Sequence, residues 1–300
     1  MAASAQAAIT VTAPAKINLT LHVCGQRADN YHLLDSLVVF AGVGDRITVS
    51  PADHLQLKMT GPFGGALANE PDNLVLRAAR LLAATHKVTR GANITLEKNL
   101  PVASGIGGGS ADAAATLVAC GRLWNTGPLT LKDTDIAAAL GADVPVCLRG
   151  VPAFMSGIGE IIEAAPTLPE AWLVLVNPGE PLATKAVFAA LAGRFSPAMA
   201  RDGFKTLADA KSLADALKLY TNDLALPALE ILPSIAAVLT ALEETPGCLL
   251  ARLSGSGPTC FGLFGNGAAA ATAAAQLAAA HPRWWAVAAP VLKPGKPSEL

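Results

Sequence analysis

Charge is scarce in this chain. Only 15% of its 300 residues are Asp, Glu, Lys or Arg, against about 25% in ordinary soluble domains. The two signs nearly cancel, with 22 basic and 23 acidic residues and a formal net charge of −1. Such a balance argues against nucleic acid as a main partner. Cysteines number five. They are never in C-x-x-C spacing, and the five histidines make no metal-ligand spacing either, so no structural zinc is expected. The thiols read as reduced, as in a cytosolic protein. Although 52% of the residues are hydrophobic, no apolar run reaches the roughly 18 residues of a membrane span without interruption. Met1 to Ala8 has no basic residue and no hydrophobic stretch, so neither a signal peptide nor a membrane partner is expected, and the expected location is cytoplasmic.

What the chain does have is glycine in one place. Leu100-Pro101-Val102-Ala103-Ser104-Gly105-Ile106-Gly107-Gly108-Gly109-Ser110-Ala111-Asp112 puts four glycines in five positions. A proline-free, Ala- and Leu-rich stretch then predicts a helix to Trp124. A glycine loop delivering a helix N-terminus is an anion site, because bare N–H groups converge there and no Cβ blocks approach. The plainer reading is a flexible turn before a helix. No Lys follows the glycines, so this is not a P-loop, and a dinucleotide fold lacks its acid about 20 residues on.

Around the loop, Ile9 to Val11 predicts a strand, and Ile17 to Val23 alternates as a half-buried one. Further strands are expected at Leu33 to Phe40, Arg46 to Ser50, Leu55 to Met59 and Asn93 to Leu96. Pro71-Asp72-Asn73 caps a helix bearing Leu74, Ala78, Leu81 and Leu82 on one face. A short helix from Thr134 to Leu140 ends at Gly141. The character changes over Gly157 to Pro169. Beyond it come a strand at Trp172 to Val176 and helices at Thr184 to Leu191, Lys205 to Leu217 and Ala228 to Leu242. Strands at Cys248 to Leu253 and Pro258 to Phe264, a helix at Ala268 to Ala279 and a strand at Trp284 to Ala288 complete a β-α-β-β-α-β order. The tail from Lys293 to Leu300 reads as a frayed end. The fold class is α+β.

Four segments could bear chemistry. Lys16 enters a strand among apolar neighbours, either as a snorkelling lysine or as a functional ammonium. Asp143 is an isolated acid between a helix end and an apolar segment read as a strand, either a turn residue or a carboxylate awaiting a cation. Asp29-Asn30-Tyr31-His32 is either an Asx turn or a ring and polar edge suited to a base. Ser254-Gly255-Ser256-Gly257 is either a hairpin turn or a second anion nest.

Taken together, these segments resemble the GHMP kinase superfamily. Pro101 to Ala111 is similar to its P-x-x-x-G-L-G-G-G-S-S loop, Ala13 to Asn18 to its first motif and Arg252 to Phe264 to its third. Gly25 to His32, Leu140 to Val146 and Phe154 to Ile161 resemble the branch that phosphorylates a cytidine diphosphate-linked polyol in isoprenoid precursor synthesis. The resemblance implies a two-domain fold: an N-terminal nucleotide-binding domain over 1–163 and a C-terminal ferredoxin-like split βαβ domain over 164–300. It implies ATP and Mg²⁺ as cofactors, with ATP on the Pro101–Ala111 loop near Asn73 and Lys98. It implies Asp143 as catalytic acid/base with Lys16 as partner, and Asn18, Tyr31, His32, Thr184 and Phe188 toward the small-molecule substrate. A monomer or weak homodimer is expected. The chain departs from the pattern at Ala111, where a second loop serine is usual, at Asn30, where glycine is usual, and at Ala225, where glutamate is frequent.

Overall fold

The computed structural model describes residues 7–67, 73–128 and 130–293. The first half builds one sheet on β3 (His32–Ala52), a 21-residue strand. β1 (Ile9–Asn18) and β2 (His22–Gln26) pair with it antiparallel, as do β5 (Gly91–Glu97) and β6 (Ala153–Gly157). β4 (Leu55–Thr60) adds parallel to β5, and β7 (Ile161–Ala164) adds to β6. The two strands expected at Leu33 to Phe40 and Arg46 to Ser50 are therefore one. The glycines between them are not breakers but points of close approach: a Cβ on Gly44 would lie 2.2 Å from the Ala13 carbonyl oxygen.

Helices α1 (Leu74–Thr85), α2 (Gly108–Trp124), α3 (Leu131–Leu140) and α4 (Val144–Arg149) cover this sheet. Val38, Phe40, Ile47 and Val49 of β3 bury against Val75, Leu82, Ala113, Leu117 and Leu123 of α1 and α2. Asn73 is the N-cap of α1, accepting from the Val75 N–H at 2.9 Å, while Pro71 and Asp72 lie outside the described residues. α3 starts three residues earlier than expected because Thr130 and Asp133 form a capping box.

The second half carries the expected split βαβ sheet. β8 (Trp172–Asn177), β9 (Cys248–Leu253), β10 (Cys260–Phe264) and β11 (Trp285–Pro290) run in the order β11-β8-β10-β9, all antiparallel. Its helices are α5 (Thr184–Ala190), α6 (Ala210–Leu217), α7 (Ala225–Ile231), α8 (Ser234–Glu243) and α9 (Gly267–Ala280). The single helix expected at Ala228 to Leu242 is two, α7 and α8. Pro233 lacks the N–H to continue a helix and drives Leu232 out of helical geometry, to φ −131° and ψ 84°. The first part of the Lys205 to Leu217 stretch is likewise non-helical, and α6 begins at the Asp209 cap.

The two sheets pack on each other. Ile17, Leu37 and Val39 from the first meet Leu173, Leu175, Phe261 and Leu263 from the second in one buried cluster. This corrects the half-buried reading of Ile17 to Val23. Every residue there is buried, including Asn18, Thr20 and His22, because their polar face is covered by the second half of the chain. Among the described residues no helix is long and apolar enough to cross a membrane.

Candidate active site

A cleft of about 380 Å³ opens between the two halves. It brings together Lys16, Asn18, Asn73, Lys98, Asp143, Thr184, Phe188 and every residue of the loop from Pro101 to Ser110 except Ile106. Ile106 and Ala111 are buried in the apolar clusters behind it. The methyl of Ala111 thus packs in the core, and a hydroxyl there would start on the buried side of the helix.

Lys16 reaches the cleft through an irregularity in β1, whose register against β3 shifts between Pro14 and Lys16; such bulges re-aim a side chain. Its ammonium lies 2.9 Å from Asp143 Oδ2 and donates to Asn18 Oδ1 at 2.9 Å. Asp143 is the residue before α4, not before a strand. Pro145 falls in the first turn, where its missing N–H costs no helical bond. The Lys16 side chain is 5% exposed and that of Asp143 33%, so the carboxylate faces the cleft and the ammonium stands behind it. Asn18 is fixed from all sides: its Nδ2 donates to Ser36 Oγ at 2.7 Å, and its N–H donates to Ser254 Oγ at 3.2 Å.

The glycine loop ends in a helix with its first N–H groups free of side-chain caps. Gly107, the N-cap of α2, is left-handed at φ 66°. The Ala111 N–H makes a backbone bond to Gly107 at 2.8 Å, so the N–H groups of the preceding turn have no intrahelical acceptor. A Cβ on Gly107 would sit 3.0 Å from Lys16 Cβ, so this glycine lets the lysine lie against the loop. The Ser254–Gly257 turn closes the other side. Ser254 Oγ donates to the Gly105 carbonyl at 3.1 Å, and Thr259 N–H donates to the Ser104 carbonyl at 3.1 Å. Gly255 and Ser256 line the cleft, and the Thr184 and Ser256 hydroxyls are 2.8 Å apart.

Lys98 reaches the cleft wall, but its ammonium is held from below. It donates to Asp45 Oδ2 at 2.5 Å and Asp112 Oδ2 at 2.6 Å, and all three side chains are buried. Burial, with Asp45 adding to it, pushes the Asp112 carboxyl up to about 7 despite the opposing pull of Lys98. Tyr31 and His32 do not line the cleft itself. Tyr31 is exposed, and the His32 ring packs against that of Phe188, with ring centres 4.8 Å apart and planes tilted by 32°. This partial burial lowers the His32 pKa and favours the neutral ring. Asn30 holds φ 68°, a left-handed turn that asparagine tolerates.

Several residues here were not legible from spacing. Asn222 donates to the carbonyls of Leu253 and Gly255 at 2.9 and 2.8 Å and anchors the second turn. Arg252 donates to the Leu19 carbonyl in the first half and to the Leu217 and Tyr220 carbonyls in its own. Asp112 carried one usable signal, an isolated acid in an Ala-rich stretch, which calls for a cation; Asp45 is followed directly by Arg46 and carried none.

The family model of the GHMP kinases N terminal domain matches residues 73–151, and that of the GHMP kinases C terminal domain matches residues 198–283. The 4-diphosphocytidyl-2-C-methyl-D-erythritol kinase of Paramagnetospirillum magneticum is 55% identical over 283 residues, which cover 94% of this chain and 98% of that one. This chain belongs to the 4-diphosphocytidyl-2-C-methyl-D-erythritol kinase family of GHMP kinases. The relative from Rhodospirillum rubrum is 53% identical, over 91% of this chain and 90% of its own. A crystal structure of a 4-(cytidine 5'-diphospho)-2C-methyl-D-erythritol kinase superposes with a TM-score of 0.78 at 32% identity, covering 95% of this chain and 100% of that one. Homoserine kinase from Cytophaga hutchinsonii shares the fold at a TM-score of 0.71 and 18% identity. The protein is an ATP-dependent kinase.

Proposed function

We propose that the kinase transfers the γ-phosphoryl group of ATP to the hydroxyl of 4-diphosphocytidyl-2-C-methyl-D-erythritol in the non-mevalonate route to isoprenoid precursors. The observation that carries this reading is the Lys16–Asp143 pair at the mouth of the glycine loop, 2.9 Å apart, with the His32–Phe188 ring contact beside the same cleft. The N–H groups of Gly108, Gly109 and Ser110 point the positive end of α2 at the nucleotide phosphates. Asp143 accepts the proton of the acceptor hydroxyl as its oxygen bonds to the γ-phosphorus and the bond to the β,γ-bridging oxygen breaks, releasing ADP. Lys16, 2.9 Å from Asp143, offsets the negative charge that develops beside it. Asn18 holds Lys16 in place. Lys98 supports the loop from beneath, and Asn73, as the cap of α1, shapes the wall next to it.

Tyr31, His32 and Phe188 take the cytosine: the rings stack on it, and the neutral imidazole reads its polar edge. Thr184 and Ser256 present hydroxyls on the second-sheet side. The expected Mg²⁺ finds no resident cage, since among the described residues no three His, Cys, Asp or Glu side chains converge as ligands. Mg²⁺ is proposed to enter with the nucleotide phosphates, as is usual in kinase sites. A monomer or weak homodimer in the cytoplasm is the proposed working form.

The test is ADP release with MgATP and the cytidyl substrate, run beside homoserine and mevalonate. Release with the cytidyl substrate only is expected. Turnover of homoserine or mevalonate instead would leave the kinase fold standing and overturn the role given to Tyr31 and His32.

A further inference from the structure

Between α5 and α6 the chain runs as a strap over the hairpin that carries Tyr31 and His32. It is fastened at several points. The Ser196 N–H donates to the Val23 carbonyl at 2.9 Å. His22 Nδ1 meets the Pro197 carbonyl at 2.8 Å, which fixes the proton on that nitrogen. The Tyr220 hydroxyl donates to the Ala200 carbonyl at 2.8 Å. One further fastening is ionic. Asp35, on β3 and 3% exposed, accepts from the Met199 N–H at 2.7 Å and pairs with Arg201 at 2.7 Å. The Arg201 guanidinium in turn lies 4.2 Å over the Phe154 ring.

A buried carboxylate is costly unless matched by cation and N–H donors. Here both matches come from the strap, 164 residues away in sequence for Met199. Asp35 sits three residues after His32, about 10 Å along the strand. At the near end of the strap, Phe195 turns its ring toward His32, with centres 6.5 Å apart and an edge-on angle of 61°. Phe195 is 44% exposed, an apolar ring left open beside the other aromatics. His32 therefore stands among rings that all belong to the second half of the chain, and Asp35 is the charged link that holds that half to its strand.

We propose that Asp35 is a positioning residue for the acceptor's cytosine: it fastens the strap to β3, sets Phe195 against His32 beside Phe188 of α5, and so fixes the aromatic surroundings of His32 against which the base is placed. This rests on the reading of Tyr31 and His32 given above.

The experiment uses cytidine 5′-diphosphate as the probe in calorimetric titrations of the intact enzyme, alongside steady-state kinetics. Asp35→Asn is expected to weaken CDP binding by about fivefold or more, which corresponds to loss of roughly 1 kcal/mol of placement. It should raise KM for the cytidyl substrate to match and leave KM for ATP within about twofold. Arg201→Gln, on a partly exposed side chain, should reproduce the effect and serves as the test if Asp35→Asn does not fold. Arg201→Lys should restore much of the loss. Equal losses of CDP and ATP affinity would mark Asp35 as merely structural and overturn the proposal. CDP binding that weakens in His32→Ala but not in Asp35→Asn or Arg201→Gln would overturn it alone. No CDP binding by the unaltered enzyme would overturn the nucleobase reading and the proposal with it.

Discussion

Lys16 Nζ stands 2.9 Å from Asp143 Oδ2 and is enclosed, while the Asp143 carboxylate is open to the cleft. The two charges have unequal access to anything that enters. A hydroxyl approaching the glycine loop meets the carboxylate first, with the ammonium behind it and Asn18 holding the ammonium still.

Asp143→Asn keeps the shape and the contact to Lys16 but cannot accept a proton. A positioned general base contributes about 10²–10⁴-fold, so kcat should fall by roughly that amount with KM for ATP little changed. Single-turnover phosphoryl transfer is the measurement. Near wild-type turnover would remove Asp143 from the chemistry. Lys16→Met should also lower kcat, and combined with Asp143→Asn the loss should be less than the product of the two, because the residues act as one unit.

The glycine loop gives a second expectation. Gly105 holds φ +74°, and a Cβ there would meet Ser254 O and Gly257 N at 2.6 Å. Both contacts are backbone, so neither can step aside. Gly105→Ala should cost on the order of 2–4 kcal/mol from the left-handed backbone and the forced repacking together. It should also part the loop from the Ser254–Gly257 turn and raise KM for ATP. Thermal unfolding and ATP titration would show both. Gly109→Ala is the control: its Cβ meets only Leu74 Cδ1, at 3.6 Å, so stability should hardly change.

The glycine loop was legible because Gly clusters have few uses, and Lys16 and Asp143 because a charge in an apolar run needs an opposite. The split βαβ order was legible from element periodicity. The continuity of β3 was not, since Gly42 and Gly44 look like breakers until the strand packed against them is known. Nor was the burial of Asn18, Thr20 and His22, because local alternation cannot say that a second sheet covers the polar face. Asn222, Arg252 and Asp35 act through partners far away in sequence, and no spacing rule reaches that distance.

The aromatic group beside the cleft predicts a split between the two substrates. The His32 and Phe188 rings lie 4.8 Å apart, tilted by 32°, and His32 is not among the residues that line the cleft with the glycine loop. Phe188→Ala should raise KM for the cytidyl substrate about tenfold, in keeping with loss of one stacking surface, with KM for ATP unchanged. Initial rates with each substrate varied in turn would show this. A change confined to ATP would mean that Phe188 faces the nucleotide instead.

The last expectation concerns the carboxylates under the loop, Asp45 and Asp112, which share Lys98 but are not equivalent. Asp45 Oδ1 also accepts from the N–H groups of Asn99 and Leu100 at 2.6 and 2.8 Å. Asp112 Oδ1 is buried without a hydrogen-bond partner, and burial pushes this carboxyl up to about 7. Burial also works against the charge of Lys98, but Asp112 and Asp45 outweigh it and raise its pKa, so that lysine stays charged at neutral pH. In the unfolded chain Asp112 returns to the ordinary carboxylate range. Between that range and about 7 the folded state binds more protons than the unfolded state, so stability falls as pH rises and the loss is complete above about 7. The Lys98 contribution is lost only at alkaline pH, which leaves the neutral window to Asp112. Asp112→Asn has no proton to lose, so its Tm relative to wild type should climb between about pH 5 and pH 8. Asp45→Asn should instead lower Tm throughout, since it takes charge from the residue that anchors the loop backbone. Calorimetric scans across that range decide the matter. Parallel Tm curves for wild type and Asp112→Asn would show that Asp112 is not the group that holds the proton.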